Sequence, residues 1–300
     1  MGIGRLRGIH PGRYGLFAGP LNSKHSAVQR DFAREAERLG YGTIWLSESA
    51  HMEPFTRAAM LLAATERLVV GTGIASIWVR DATAMAGAGR TLADAWPDRF
   101  ILGLGVSHAP SVQQRGHDYE RPYSAMQAYL DAIASAAWRG PDVELPPIVL
   151  AALGPRMAAL AGERTAGAYP YFTTAAHVRE VRSILGPEPF LVADLPVVMA
   201  GSLAEARAIG SRHTSYYLGV ANYRNNLLRL GWSEADLEGP GSDELFEAVV
   251  AWGDIDRIHQ QMAARFEAGA DQVAFNLLGP DPAEPPYELL RALAAGFAGG

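Results

Sequence analysis

Short apolar runs alternate along the chain with longer stretches whose apolar residues recur at helical spacing. In one such stretch Val28, Phe32, Ala36 and Leu39 share a helix face, and Gly40 ends the pattern. The runs predict strands at 14–18, 43–46, 67–75, 99–106, 147–153, 168–172, 190–199 and 271–278. The longer stretches predict helices at 27–39, 56–65, 82–95, 123–138, 154–164, 175–185, 203–212, 253–268 and 287–297.

Eight predicted strands that alternate with helices favour a parallel sheet covered by helices. Eight strand–helix units within about 290 residues are typical of a (β/α)8 TIM barrel, here a single domain over 1–300. A doubly wound sheet is the alternative, but it usually has a phosphate loop after its first strand, where 19–22 read GPLN. Residues 213–253 interrupt the alternation, so we expect a helical insertion before the last helix–strand unit.

Charge and the lengths of the apolar runs argue against nucleic-acid-binding and membrane proteins. The net charge is −6, Lys24 is the only lysine, and no basic run resembles a nucleic-acid-binding arm. No apolar run approaches the roughly 18 residues of a membrane span, and no apolar segment of a signal peptide follows Arg5 and Arg7. We therefore expect a cytoplasmic protein that acts on a small molecule and binds neither nucleic acid nor membrane.

Several kinds of site lack their sequence signature. The chain has no cysteine, which excludes disulfides, thiolate metal sites and a cysteine nucleophile. Only His108 and His117 lie close together among the histidines, so we expect no metal site. The Gly103–Leu104–Gly105 segment lacks the third glycine of a dinucleotide fingerprint, because His108 stands in its place.

In a TIM barrel the chemistry lies at the C-terminal ends of the strands. Glu48 follows the second strand there, as an acid–base group or as a carboxylate paired with an arginine. Glycines in strands three and four indicate either a flat ring against the backbone or tight packing inside the barrel. Gly154 and Pro155 begin a helix after strand five, which is a candidate phosphate site or an ordinary helix start. Aromatic candidates for the wall, or for the core, are Phe17, Trp78, Tyr123, Tyr169 and Phe275.

Five segments, in this order, resemble the luciferase-like monooxygenase superfamily. They are 37–48 (ERLGYGTIWLSE), 64–74 (ATERLVVGTGI), 98–106 (DRFILGLGV), 223–231 (YRNNLLRLG) and 268–273 (AGADQV). Within the superfamily the chain is similar to the oxidoreductases that use a deazaflavin, coenzyme F420, and the segment 223–231 is typical of that branch. The resemblance extends over essentially the whole chain.

The resemblance implies a barrel with an insertion, often dimeric, and a flavin-like ring at its mouth. It implies a cis peptide bond behind the ring, at Gly73–Ile74 by position. The implied cofactor-binding residues are Gly73, Ile74, Ala75, Gly105, Val106, Ser107, Gly154, Pro155 and Arg156, the last four near the phosphate.

The catalytic residues implied are Glu48, His51 and His108, but the chain departs from the branch at this point. Many members carry Asp–His after strand two, where this chain has Glu48–Ser49, so the proton-transferring residue stays open. We expect transfer of a hydride between coenzyme F420 and a small organic substrate. The alternatives are an FMN-dependent monooxygenase and a barrel that binds a ligand without catalysis.

Overall fold

A computed structural model describes residues 6–49 and 52–297. Its strands are β1 (Tyr14–Phe17), β2 (Thr43–Leu46), β3 (Val69–Thr72), β4 (Ala75–Ser76), β5 (Phe100–Gly105), β6 (Ile148–Leu150), β7 (Gly167–Ala168), β8 (Phe190–Met199), β9 (Ala251–Gly253) and β10 (Gln272–Leu277). Its helices are α1 (Ser26–Arg38), α2 (Pro54–Leu62), α3 (Ala82–Ala95), α4 (Ala109–Gln113), α5 (Pro122–Ala134), α6 (Pro155–Arg164), α7 (Ala175–Leu185), α8 (Leu203–Leu218), α9 (Ala221–Arg229), α10 (Asp243–Val249), α11 (Ile255–Glu267) and α12 (Tyr287–Ala294).

The strands close into a parallel barrel, as the alternation predicts. The sheet runs from β10 through β1, β2, β3, β5, β6 and β7 to β8, and β8 pairs with β10 to complete the ring. β3 and β4 form one interrupted barrel strand, and the Gly73–Ile74 peptide bond between them is cis, which confirms that prediction. β9 adds beside the C-terminal end of β8. Because the sheet closes, the doubly wound alternative is wrong.

Side chains that point into the barrel pack close to glycines of the third and fourth barrel strands. The indole of Trp45 fills the interior, fully buried, and donates from Nε1 to Gln272 Oε1 at 2.7 Å. A Cβ on Gly71 would lie 2.4 Å from that indole, and one on Gly73 would lie 3.0 Å from Trp45 Cβ. A Cβ on Gly105 would lie 2.5 Å from the Ile74 side chain. Tight packing inside the barrel is therefore one reason for these glycines.

The segment from 213 to 253 is mostly helical. It contains the end of α8, then α9, α10 and β9. α8 runs to Leu218, six residues beyond the predicted end. Residues Leu218, Tyr223, Leu227 and Phe246 bury against Phe172 and Val198 in a second core beside the barrel. No helix of the described residues is long and apolar enough to cross a membrane.

Candidate ligand-binding site

A cavity of about 1580 Å³ opens at the C-terminal ends of the barrel strands. The segments that follow β2, β5, β6, β7 and β10 form its wall, and α8 and α9 cover one side. Typical small-molecule pockets measure about 300–1,000 Å³. The cavity therefore has room for a large cofactor together with a substrate.

Most of the residues implied by the resemblance lie on this wall. Those that line the cavity are Glu48, Gly73, Ile74, Val106, Ser107, His108, Gly154, Pro155 and Arg156. Ala75 and Gly105 do not line it. Ala75 is fully buried and packs outward into the main core, and Gly105 is covered by the side chain of Ile74. His51 lies outside the described residues.

Glu48 is bound to protein groups through both carboxylate oxygens. Its Oε1 pairs with Arg80 at 2.6 Å, and its Oε2 accepts from the backbone N–H of Ser76 at 2.8 Å. Only 3% of the side chain is exposed. Arg80 also pairs with Glu53, the N-cap of α2. Of the two readings of Glu48, the geometry favours the carboxylate paired with an arginine, which ties β2 to β4.

His108 lies at the start of α4, with its ring inside the cavity wall. Its Nδ1 is 3.1 Å from Asn222 Oδ1 of α9, and its ring packs on Tyr223 with centroids 5.4 Å apart. Burial lowers the pKa of His108 from its ordinary 6.5, because charging the ring would cost solvation. Burial therefore favours the neutral form of the His108 imidazole, and the hydrogen bond with Asn222 opposes that effect.

The N-terminus of α6 opens into the cavity. Its N-cap is Gly154, no side chain caps it, and a Cβ at Gly154 would meet nothing within 4 Å. Pro155 occupies the first turn, and the exposed guanidinium of Arg156 stacks over the Tyr123 ring at 4.2 Å. Pro155 has no N–H, and the N–H groups of Met157 and Ala158 bond to the Gly154 carbonyl. The helix dipole, the backbone N–H of Arg156 and its guanidinium therefore remain to fit an anionic group such as a phosphate.

An aromatic cluster lines the side of the cavity next to α8 and α9. Tyr171 is central, with ring centroids 4.9 Å from Phe17 and 5.0 Å from Tyr217. Tyr223 and His213 complete the cluster, and burial lowers the pKa of His213 to about 3. Of the aromatic candidates from the sequence, Phe17, Tyr123 and Tyr169 line the cavity, whereas Trp78 and Phe275 do not.

Sequence reasoning missed Asp194, Tyr217 and His213. Asp194 points into the barrel below the cluster, is fully buried, and accepts from the Phe172 N–H at 3.1 Å. Burial raises the pKa of Asp194 to about 8, although the charge of Arg265 opposes the rise. A single aspartate in the middle of an otherwise apolar strand was the signal available for it.

The fold and the cavity define a TIM-barrel protein with its ligand site at the C-terminal ends of the strands. The family described as luciferase-like monooxygenase matches residues 15–272, and the chain belongs to that family.

A relative from Mycobacterium tuberculosis is 25% identical over an alignment of 323 positions, gaps included. The alignment covers 86% of this chain and 92% of the relative. Its name assigns it provisionally to the coenzyme F420-dependent oxidoreductases.

Solved structures share the fold at low identity. The coenzyme F420-dependent tetrahydromethanopterin reductase of Methanopyrus kandleri has a TM-score of 0.75 at 15% identity, over 95% of this chain and 98% of that one. The oxygenating constituent of 3,6-diketocamphane monooxygenase from Pseudomonas putida, in complex with FMN, has a TM-score of 0.72 at 14% identity. That match covers 94% of this chain and 95% of the other.

Proposed function

We propose that this protein is a coenzyme F420-dependent oxidoreductase that transfers a hydride between the deazaflavin and a small organic substrate. The name of the full-length mycobacterial relative supports this assignment. The FMN-dependent monooxygenase is the second candidate, because a barrel of the same fold is solved with FMN.

The observation that carries the proposal is the charge at the cavity rim. Arg115, Arg156 and Arg212 line the cavity, and within the described chain no acidic side chain lies within 4 Å of any of the three guanidinium groups. The acidic side chains on the wall are Glu48, which is bound to Arg80, and Asp281 and Glu284 before α12. FMN ends at a single phosphate, whereas the deazaflavin continues from its phosphodiester into an acidic chain. Arg115 donates to the Ser49 carbonyl at 3.0 Å, and the three arginines, none with an acidic partner among the described residues, suit the longer anion.

Each part of the wall has a distinct role in this proposal. The N-terminus of α6 and Arg156 hold the phosphate, and the segment around Gly73 and Ile74 stands behind the ring. The bound deazaflavin supplies two-electron hydride chemistry. Tyr171 and its neighbours exclude water from the substrate side, and Glu48 keeps β4 in place through the Ser76 N–H.

The proposal is tested by titrating coenzyme F420 and FMN into the protein and following the fluorescence of each cofactor. We expect F420 to bind more tightly, and we expect its affinity to fall with added salt because the rim charges are screened. Arg156→Ala should weaken F420 binding about tenfold and reduce the salt dependence. Arg164→Ala, at the other end of α6 and paired with Asp131, is the matched control and should bind as the wild type does. If Arg156→Ala binds F420 with wild-type affinity, the phosphate does not bind at Arg156.

A further inference from the structure

A second cavity, of about 640 Å³, lies beside β8, among the first turn of α7, the segment that follows α9, α10 and α11. None of the residues that line it also lines the large cavity at the strand ends. Much of its wall is apolar and consists of Leu195, Leu230, Trp232, Ala248, Ala251 and Ala264. A cavity of this size can hold a small molecule.

The guanidinium of Arg265 lies on the wall of this second cavity, although the residue is only 5% exposed. Its Nη2 donates to the carbonyls of Thr173, at 3.2 Å, and Ala248, at 2.8 Å. Its Nε is buried without a hydrogen-bond partner, and its Nη1 has none among the described residues. A buried charged group with unpaired donors is destabilising, so the arrangement points to an acceptor from a bound ligand.

The chain does not neutralise the charge of Arg265. Within the described residues no carboxylate lies within 4 Å of its guanidinium. Burial lowers the pKa of Arg265 to about 10, which leaves the group charged at neutral pH. A charge on Asp194 would favour that cation, but burial raises the pKa of Asp194 to about 8, so its carboxyl group keeps its proton at neutral pH. An anion bound in the cavity would compensate the guanidinium.

Gln261 adds a second donor to the same wall. It lies four residues before Arg265 on α11, so the two side chains share one face of the helix. The Trp252 N–H donates to Gln261 Oε1 at 3.0 Å, which fixes the orientation of the amide. The two hydrogens on Nε2 then have no acceptor among the described residues.

The first turn of α7 contributes backbone donors. Its N-cap is Thr174, whose hydroxyl accepts from the His177 N–H at 3.2 Å. The N–H groups of Ala175 and Ala176 have no acceptor within the described protein, and both residues line the cavity. These groups and the positive end of the helix dipole favour an anion beside Arg265.

Acidic side chains at the rim limit the charge of that anion. Asp236 accepts from the Ser233 hydroxyl at 2.7 Å. Glu247 pairs with Arg257 at 3.0 Å, and Glu244 is exposed. Their negative charges oppose a ligand with two charges, such as phosphate, more than a ligand with one. The apolar wall meanwhile suits a hydrocarbon chain.

We propose that the second cavity binds a small monocarboxylate with a short apolar chain. The carboxylate accepts from the Arg265 guanidinium, the Gln261 amide and the N–H groups that begin α7. The chain of the ligand packs on Leu195 and Trp232. The site lies apart from the cavity at the strand ends, so the inference goes beyond the proposed function and does not rest on it.

The test is NMR of the protein labelled with ¹⁵N-arginine, at about pH 6, where carboxylates are ionised. The probes are butyrate, the uncharged butyramide of similar shape, and inorganic phosphate, and Arg265→Lys assigns the Arg265 resonance. We expect butyrate to move the Arg265 Nε–H resonance in a saturable titration and to leave that of Arg179, exposed on α7, in place. An Arg265 resonance that butyrate leaves unmoved, or that butyramide moves equally, overturns the proposal. A response to phosphate alone does so as well.

Two variants and one control test the donors, and the Gln261 side-chain amide, labelled with ¹⁵N, follows the butyrate titration in each. Arg265→Met should weaken butyrate binding at least about tenfold, because charged hydrogen bonds are lost. Ala175→Pro removes one N–H at the first helical position, where proline is tolerated, and the extended backbone of Thr174 permits it. It should weaken binding about threefold. Arg179→Met removes the same charge from an exposed position and should bind as the wild type does.

The outcome does not depend on one variant. Wild-type affinity in a folded Arg265→Met overturns the proposal. If far-ultraviolet circular dichroism shows that Arg265→Met does not fold, wild-type affinity in Ala175→Pro overturns it instead. Weaker butyrate binding in the variants, together with unchanged binding in Arg179→Met, supports the carboxylate site.

Discussion

Replacing Asp194 by asparagine tests whether the carboxyl group buried in the barrel keeps its proton in the folded protein. Asp194 has no exposed surface, and its Oδ2 accepts from the Phe172 N–H. Its Oδ1 has no hydrogen-bond partner within the described protein. Asparagine has nearly the same shape and retains a carbonyl for Phe172, but it does not ionise. The substitution therefore removes the titration and little else.

The size of the effect follows from the pKa of Asp194, which burial raises from 3.8 to about 8. Between these values the folded protein holds a proton that the unfolded chain has released. The free energy of unfolding therefore falls as pH rises, by about 1.4 kcal/mol per pH unit. This contribution is fully present below pH 3.8 and is lost as pH rises through the folded pKa. From pH 5 to pH 7 the wild type should lose about 3 kcal/mol relative to Asp194→Asn.

Urea denaturation of both proteins at pH 5 and pH 7 measures this difference, because the other titrating groups are common to both and cancel. Asp142→Asn, at an exposed loop position, is the control and should follow the wild type at each pH. A stability difference between wild type and Asp194→Asn that stays constant from pH 5 to pH 7 would refute the reasoning. Asp194 would then ionise in the folded protein as it does in the unfolded chain.

Two further predictions concern packing and the ion pair. Gly71→Ala should destabilise the protein by about 1–3 kcal/mol in urea denaturation, because its Cβ would meet the indole inside the barrel. Gly87→Ala, where a Cβ meets nothing within 4 Å, should instead stabilise α3 by about 0.5–1 kcal/mol; equal effects would contradict the packing argument. Glu48→Gln should cost about 1.5–3 kcal/mol by weakening two charged hydrogen bonds. Glu66→Gln, at an exposed site, should leave the free energy of unfolding almost unchanged. If Glu48→Gln also leaves it unchanged, Glu48 has no structural role.

The local pattern of apolar and polar residues was enough to predict most strands and helices of the barrel. The observed bounds of β2, β8, α3 and α7 coincide with the predicted ones, because each is an apolar run or an amphipathic stretch between clear breaks. β7 ends at Ala168 rather than at Phe172. Phe172 has a φ of 54°, and its N–H bonds to the Asp194 side chain instead of a neighbouring strand. That contact joins residues far apart in sequence, so no local pattern could predict it.

The sequence predicted only that part of the site which follows from the position of ligand sites at the C-terminal ends of barrel strands. Strand ends predicted the wall around Ser107 and Gly154, because loops after parallel strands converge on one face. Which face of α8 and α9 points inward depends on packing against Phe172, so the inward positions of His213 and Tyr217 needed the structure. The pairing of Glu48 with Arg80 spans 32 residues and has no sequence signature.

A direct competition between cofactors tests the central claim. The purified protein, freed of any bound cofactor, is mixed with equimolar coenzyme F420 and FMN, each in excess, and the bound fraction is separated and quantified by absorbance. The account predicts that F420 occupies at least about ten sites for each site that FMN occupies, a difference of roughly 1.4 kcal/mol in binding free energy. Retention of FMN in preference to F420 would contradict the assignment as a deazaflavin oxidoreductase.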